Sequence, residues 1–248
     1  MSALLSEQLQ PRNRLEPQNQ VLTALLLQVG DVLRRHLKPT FLTRREVLVD
    51  ADERLTRIYF PQNCTVVSMM CLFDDGRVAE MAIVGSEGVV PVGGPLGAET
   101  SFARCTVHIP GPAMAVDAAR LQSVALEHPA VGKVLAASIA MLLSQVLQSA
   151  ACNAVHTAEQ RCARWLLTAM DRSGSDCLPL TQELMAEMLG VHRPTVSIVA
   201  RSLQQAGMIR YSRGAITIVD RQGLEQAACE CYGLARQKLE RLSRRLVA

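Results

Sequence analysis

The sequence predicts an α+β chain: a double-stranded β-helix (jelly-roll) domain, a long helix, and a winged helix-turn-helix domain. Three observations carry that reading. Short apolar runs separated by turn residues fill Phe41 to about Val116. An apolar stripe at helical spacing follows from Val131 to Val146. Finally, Leu180 to Arg201 sets small, glycine and apolar residues where two tightly crossing helices need them.

Residues 1–20 are polar and broken by Pro11 and Pro17, which predicts a flexible arm. Val21 to Leu37 reads as an amphipathic helix ended by Lys38-Pro39. The roll, with its leading helix, is expected over 21–128. Within it, Val66–Phe73 and Arg77–Val84 flank Asp74-Asp75-Gly76, a hairpin signal. In the second run Ala79, Met81 and Ile83 alternate with Val78, Glu80 and Ala82, so they should share one face. Met69, Met81, Ile83, Val107 and Ile109 are expected to line an apolar cavity.

Asp117 to His128 is a short helix stopped by Pro129. Over 129–154 Val131, Leu135, Ile139, Leu142 and Val146 recur at spacings of four and three. A helix this apolar between two domains reads as a dimer seam, with these five residues at the contact. Glu159 to Met170, with Trp165, opens a DNA-binding domain over 155–223, and 224–248 reads as a C-terminal helix.

In the helix-turn-helix Ala186 is the small residue at the crossing and Gly190 the turn. Met185, Leu189, Val196 and Val199 should be buried, and Pro194 suits a first helical turn. Gly207 ends the second helix; Ile209–Tyr211, Ser212-Arg213-Gly214 and Ala215–Val219 then read as a hairpin, the wing. From Met188 to Val219 there is no Asp or Glu, while Arg193, Arg201, Arg210 and Arg213 lie inside that window. Such a surface suits phosphates, so the expected partner is double-stranded DNA. Charge agrees: residues 156–248 hold 13 Lys/Arg against nine Asp/Glu, the rest 13 against 14. Glu7 and polar neighbours follow Met1–Leu5, so no leader peptide is expected, and Lys133, Ser138 and Gln145 interrupt the one apolar stretch. The expectation is a cytoplasmic protein without a membrane partner.

The order of helix, roll, long helix and winged helix-turn-helix resembles the Crp/Fnr family of bacterial transcription regulators over about residues 25–223. The resemblance is carried by Leu180-Thr-Gln-Glu, Ala186, Leu189-Gly190-Val191-His-Arg193-Pro-Thr195-Val196 and the wing, and more softly by Tyr59-Phe-Pro61, Asp75-Gly76 and Val84-Gly-Ser-Glu87-Gly88. It implies a homodimer that binds a pseudo-palindromic operator and can touch RNA polymerase, with base reading by Arg193 and a phosphate contact by Thr195. Thr181, Gln182, His192, Ser197, Arg201 and Arg213 complete the expected DNA contacts. Pro194 stands where family members have Glu, and Ile198 where they have Arg, which implies a different operator sequence.

Glu87 and Arg104 are the nearest match to the family's cyclic-nucleotide cradle, but Cys105 replaces the hydroxyl that should follow the arginine. Gating by cyclic AMP is therefore not expected; gating by another small ligand in the roll, or by cysteine redox chemistry, stays open. The eight cysteines include no Cys-x-x-Cys. Cys229 and Cys231, read as helical, should point to different faces and chelate poorly, so neither metal nor cofactor is expected. His108 is the only histidine of the β region, which argues against a metal-dependent enzyme.

Overall fold

The structure, a computed structural model, describes residues 18–94 and 97–247. All but the last three residues of the expected arm lie outside these. Helix α1 (Gln20–Arg34) is capped by Asn19, whose Oδ1 accepts from Leu22 N while its Nδ2 donates to the carbonyls of Pro61 and Gly88. This buried amide ties the first helix to the roll.

The roll comprises β1 (Lys38–Leu42), β2 (Val47–Val49), β3 (Arg57–Pro61), β4 (Val66–Leu72), β5 (Val78–Val84), β6 (Arg104–Ile109) and β7 (Gly111–Asp117). They form two antiparallel sheets, ordered β1-β7-β3 and β2-β6-β4-β5. Phe60, Val67, Met69, Cys105, Val107 and Val116 fill the core between them, shared with α1.

The four-stranded sheet is buried on both sides. Between β4 and β5 the register pairs Met69 with Ala82 but Met70 with Glu80, leaving Met81 as the extra residue of a β-bulge. The bulge reverses the alternation along β5, so Met81 and Val84 turn to the roll core while Val78 and Ile83 join the opposite face. The expected cavity therefore does not form. Met69, Met81 and Val107 belong to the inner core, whereas Ile83 and Ile109 pack outside the roll with Val66 and Met70.

After α2 (Ala118–Glu127) comes α3 (Pro129–Val155), long and apolar enough to cross a membrane by length and composition, contrary to expectation. It packs instead against α1, α2, β5 and, most extensively, α8 (Cys231–Val247). Val131 and Leu135 are fully buried in the protomer's own core, with Ile139 and Leu142 half-buried against it. This corrects the expected seam at its first two residues. The exposed face of α3 is another stripe: Ala136, Ala140, Leu143, Leu147, Ala150 and Ala154, spaced alternately four and three.

The last domain holds α4 (Ala158–Ser173), β8 (Cys177–Leu178), α5 (Gln182–Leu189), α6 (Arg193–Gln205), β9 (Ile209–Ser212), β10 (Ala215–Ile218) and α7 (Arg221–Ala227). A capping box at Thr157 and Gln160 starts α4, and Gly174 ends it in the left-handed conformation. The expected single C-terminal helix is two: α7 stops at Ala227, Cys229 is non-helical, and α8 turns back along α3.

This domain is docked on the outer face of the four-stranded sheet. Trp165, Leu166, Met185, Met188 and Leu189 share one core with Val66, Met70, Ile83 and Ile109. At its centre Trp165 Nε1 donates to Glu80 Oε1 at 2.6 Å, Ser68 Oγ donates to Oε2 at 2.7 Å, and His108 meets the indole edge-on at 5.3 Å. Arg161 donates to the Leu189 carbonyl. Burial pushes the Glu80 carboxyl up to about 7, against the two hydrogen bonds and the nearby charges of Arg164 and Arg172. Burial pushes His108 down to about 4, aided by Arg44.

The signs oppose. Native Glu80 holds a proton that the unfolded chain has lost, so its contribution to stability falls as pH rises from about 4.5 to about 7. Neutral native His108 contributes fully above about 6.5 and loses that contribution as pH falls towards about 4. Substituting Glu80→Gln removes only the first effect. Urea unfolding should show the wild type losing stability relative to this variant between pH 5 and 7; parallel pH curves would refute an enclosed carboxyl at this interface.

Candidate nucleic-acid interface

Gly190 adopts φ +60°, the left-handed turn expected between α5 and α6, and its N–H reaches back to Ala186 and Glu187 carbonyls. Met185, Leu189, Val196 and Val199 are buried and Ala186 is half-buried at the crossing. Pro194 lies in the first turn of α6. Gly207, at φ +75°, follows the last turn. The wing is a two-residue hairpin: Ser212 pairs with Ala215, and Arg213 and Gly214 both have positive φ, as a type I′ turn requires. Strand β8 adds a third strand beside β10, which sequence reasoning missed because two residues give no periodic signal. Tyr211 N donates to Gln204 Oε1, tying the wing to α6.

The expected contact residues fall into two groups. Arg193, Arg201 and Arg213 are exposed, as is His192, which occupies the N-cap position of α6 without a side-chain cap bond; Arg210 of the acid-free window is exposed beside them. Arg193 pairs with Glu183 of α5 at 3.0 Å, both side chains more than half exposed. A pair so exposed holds by no more than about 1 kcal/mol, so it orients the guanidinium without locking it. The others hold the motif together. Thr181 caps α5 through Leu184 N, and Ser197 Oγ donates to Gln182 Oε1 at 2.9 Å across the two helices. Thr195 is half-buried. Ile198 stands out on α6 as a 70 % exposed aliphatic side chain.

Residues 160–227 match the family model described as the Crp-like helix-turn-helix domain. The chain carries a Crp-like helix-turn-helix domain. Solved structures extend the likeness in fold beyond this domain. FixK2 from Bradyrhizobium japonicum superposes with a TM-score of 0.64 at 19% identity, over 78% of this chain and 98% of that one. A putative crp/fnr-family transcriptional regulator from Eubacterium rectale gives 0.66 at 18%, over 79% and 92%. A CRP-family transcriptional regulator from Thermus thermophilus gives 0.64 at 18%, over 76% and 96%. No curated protein matches the chain. Roll, long helix and helix-turn-helix domain thus share the fold of these structures.

The structure does not bring together the two residues expected at the effector site. Arg104 pairs bidentately with Asp50 at 2.6 and 3.0 Å, on the rim of the roll. The Arg104 guanidinium holds the Asp50 carboxyl below the usual carboxylate range. Glu87 forms a buried pair with Arg172 of α4 at 2.6 Å and accepts from Gly85 N, and Arg172 also donates to Gln145 of α3. A Cβ at Gly85 would lie 2.8 Å from the Glu87 carboxylate, so only glycine lets this loop close on its ion pair. Between the loop, α3 and Leu239 of α8, a cavity of about 20 Å³ remains, enough for a single water, and a wider cleft of about 340 Å³ adjoins it beside Ser86, Glu87, Arg172 and Arg236.

The expectation that Cys229 and Cys231 point to different faces of one helix also needs correction. Cys152 and His156 sit one turn apart at the end of α3, and Cys229 and Cys231 flank the start of α8; their ligating atoms all lie within 4.8 Å of one another. The helical reading of Cys229 hid this group, because outside a helix residues two apart can face the same point. The signal available in the sequence was the spacing of Cys152 and His156, four apart on one helix.

Proposed function

We propose that the chain is a homodimeric, operator-binding transcription regulator of the cytoplasm that does not respond to cyclic AMP. The observation that carries the DNA reading is the exposed, acid-free surface of α6 and the wing, with Arg193 at the helix start and Arg213 at the wing tip. Arg193 exchanges Glu183 for a guanine edge, where its bidentate fork fits O6 and N7. Ile198 offers no hydrogen bond, so it favours a thymine methyl where the family's arginine would select guanine. His192, Thr195, Arg201 and Arg213 supply phosphate contacts, while Thr181, Gln182 and Ser197 keep the two helices in register. Arg193→Ala should cost about 1–3 kcal/mol of specific binding and relax base choice, whereas Arg213→Ala should weaken all sequences alike and flatten the salt dependence. Filter binding on a selected operator and on random duplex separates the two; no affinity for any duplex at low salt would sink the reading.

Support for the dimer comes from the exposed stripe of α3. Its alternate spacings of four and three give a coiled-coil seam, and four of its six residues are alanines, which permit close helix approach. Two recognition helices related by a two-fold axis meet successive major grooves about 34 Å apart, so the operator is a pseudo-palindrome. Leu147→Glu would bury unpaired carboxylates at the seam and should give monomers by light scattering. The same substitution leaving the dimer intact would place the interface elsewhere.

Against cyclic-nucleotide gating stand the commitment of Arg104 to Asp50 and the burial of Glu87 under Arg172. Millimolar cyclic AMP should leave both the melting temperature and operator affinity unchanged, since any ligand preferring the native state must stabilise it. A reproducible rise that Arg104→Ala abolishes would restore the family's mechanism. Contact with RNA polymerase belongs to the same reading and follows from operator placement.

A further inference from the structure

Three of the protein's eight cysteines, Cys152, Cys229 and Cys231, form a buried cluster of their own, separate from both hydrophobic cores. Small apolar thiols normally dissolve into a core; three gathered apart from it with a histidine ask for a different reason. We propose that Cys152, His156, Cys229 and Cys231 bind one Zn²⁺ ion in a closed tetrahedral site that fastens the end of α3 to the junction of α7 and α8.

Distances fit a single ion. Zn–S bonds of about 2.3 Å and Zn–N bonds of about 2.0–2.1 Å place tetrahedral ligands about 3.8 Å apart for two sulfurs and about 3.6 Å for sulfur and nitrogen. Here Cys152 Sγ lies 3.5 Å from Cys229 Sγ, and Cys231 Sγ lies 3.6 Å from His156 Nδ1. Thiolates that ligate different irons of an iron–sulfur cluster must stand further apart than ligands sharing one metal, so this spacing favours a mononuclear ion.

The surroundings are those of a ligand set. His156 Nε2 is 3.2 Å from Glu230 Oε2, which holds the proton on Nε2 and leaves the Nδ1 lone pair facing the thiols. A carboxylate behind a ligating imidazole is the usual means of fixing its tautomer. Gln148 Nε2 donates to Cys231 Sγ at 3.1 Å, a bond that strengthens when sulfur carries charge. Zn²⁺ with three thiolates and a neutral imidazole has net charge −1. The guanidinium groups of Arg161 and Arg164 lie within electrostatic reach of this cluster, and the Nε atoms of both are buried without a hydrogen-bond partner. With four protein ligands and no open position, the site is structural. Its ion would cross-link the hinge at His156-Thr157 to the strap that follows the DNA-binding domain.

The full-length protein, purified in reducing buffer, should contain one zinc per protomer by mass spectrometry of the metal. Replacement by Co²⁺ should give the visible absorption of tetrahedral cobalt with a thiolate charge-transfer band. Glu230→Gln, which spares the four ligands and the fold, should lower metal affinity about 10–100-fold by chelator competition. Cys229→Ser should remove the charge-transfer intensity of one thiolate, and Cys177→Ser, at an exposed cysteine, should change nothing. Absence of zinc together with no cobalt spectrum after metal addition would overturn the proposal. So would iron with acid-labile sulfide, or a Cys152–Cys229 disulfide that persists in reductant.

Discussion

A β-sheet in a roll normally turns one face to water; the four-stranded sheet of this protein has no such face. Strands β4 and β6 give Val67, Met69 and Val107 to the inside of the roll and Val66, Met70 and Ile109 to the DNA-binding domain. Burial of the second face depends on the bulge at Met81, which turns Ile83 outward beside Ser68. That face is not wholly apolar, and Glu80 lies within it. Its two oxygens are satisfied from opposite partners, Ser68 on the roll and Trp165 on α4, so neither domain alone would meet the cost of enclosing it. The interface is thus specified by a polar centre inside a hydrophobic contact.

The long helix reconciles three demands through three faces. One carries Val131, Val134 and Leu135 into the core of the roll, another supports α8, and the exposed one presents alanines and leucines at coiled-coil spacing. A helix apolar on all sides resembles a membrane segment by composition, yet two of the three faces are spent within the protomer. The buried Glu87–Arg172 pair adds a polar tie, joining the loop after β5 to α4 and, through Gln145, to α3. The loop after β5 and the base of the DNA-binding domain therefore rest on the same helix.

Local features were legible in the sequence. The turn at Gly190, the wing with Arg213 and Gly214, and the stop at Pro129 are written in residues whose backbone preferences act within a few positions. The class of fold followed from the change of period from strands to helices. What escaped depended on distant parts of the chain. Nothing near Met81 announces a bulge, and the expected face of β5 was accordingly reversed beyond it. Val131 and Leu135 read as a seam because a stripe shows that a helix has an apolar face without showing what covers it. Cys229 read as helical because no proline or glycine marks the break between α7 and α8. Of the expected DNA contacts, the exposed arginines were recognisable from charge, but the internal roles of Thr181, Gln182 and Ser197 required the second helix to be seen against the first.

The return of α8 along α3 changes the mechanics of the molecule. A domain hung from a single flexible joint can swivel about any direction through that joint. This one is joined to the long helix at two points, by the connection from α3 into α4 and by the strap from α7 into α8, and rests on the four-stranded sheet between them. Two anchors on one helix define a line, and the shared core shuts the domain against the sheet beside it, as a door closed on its hinges. Helix α6 is thereby held at one angle to the roll, the angle of that closed door.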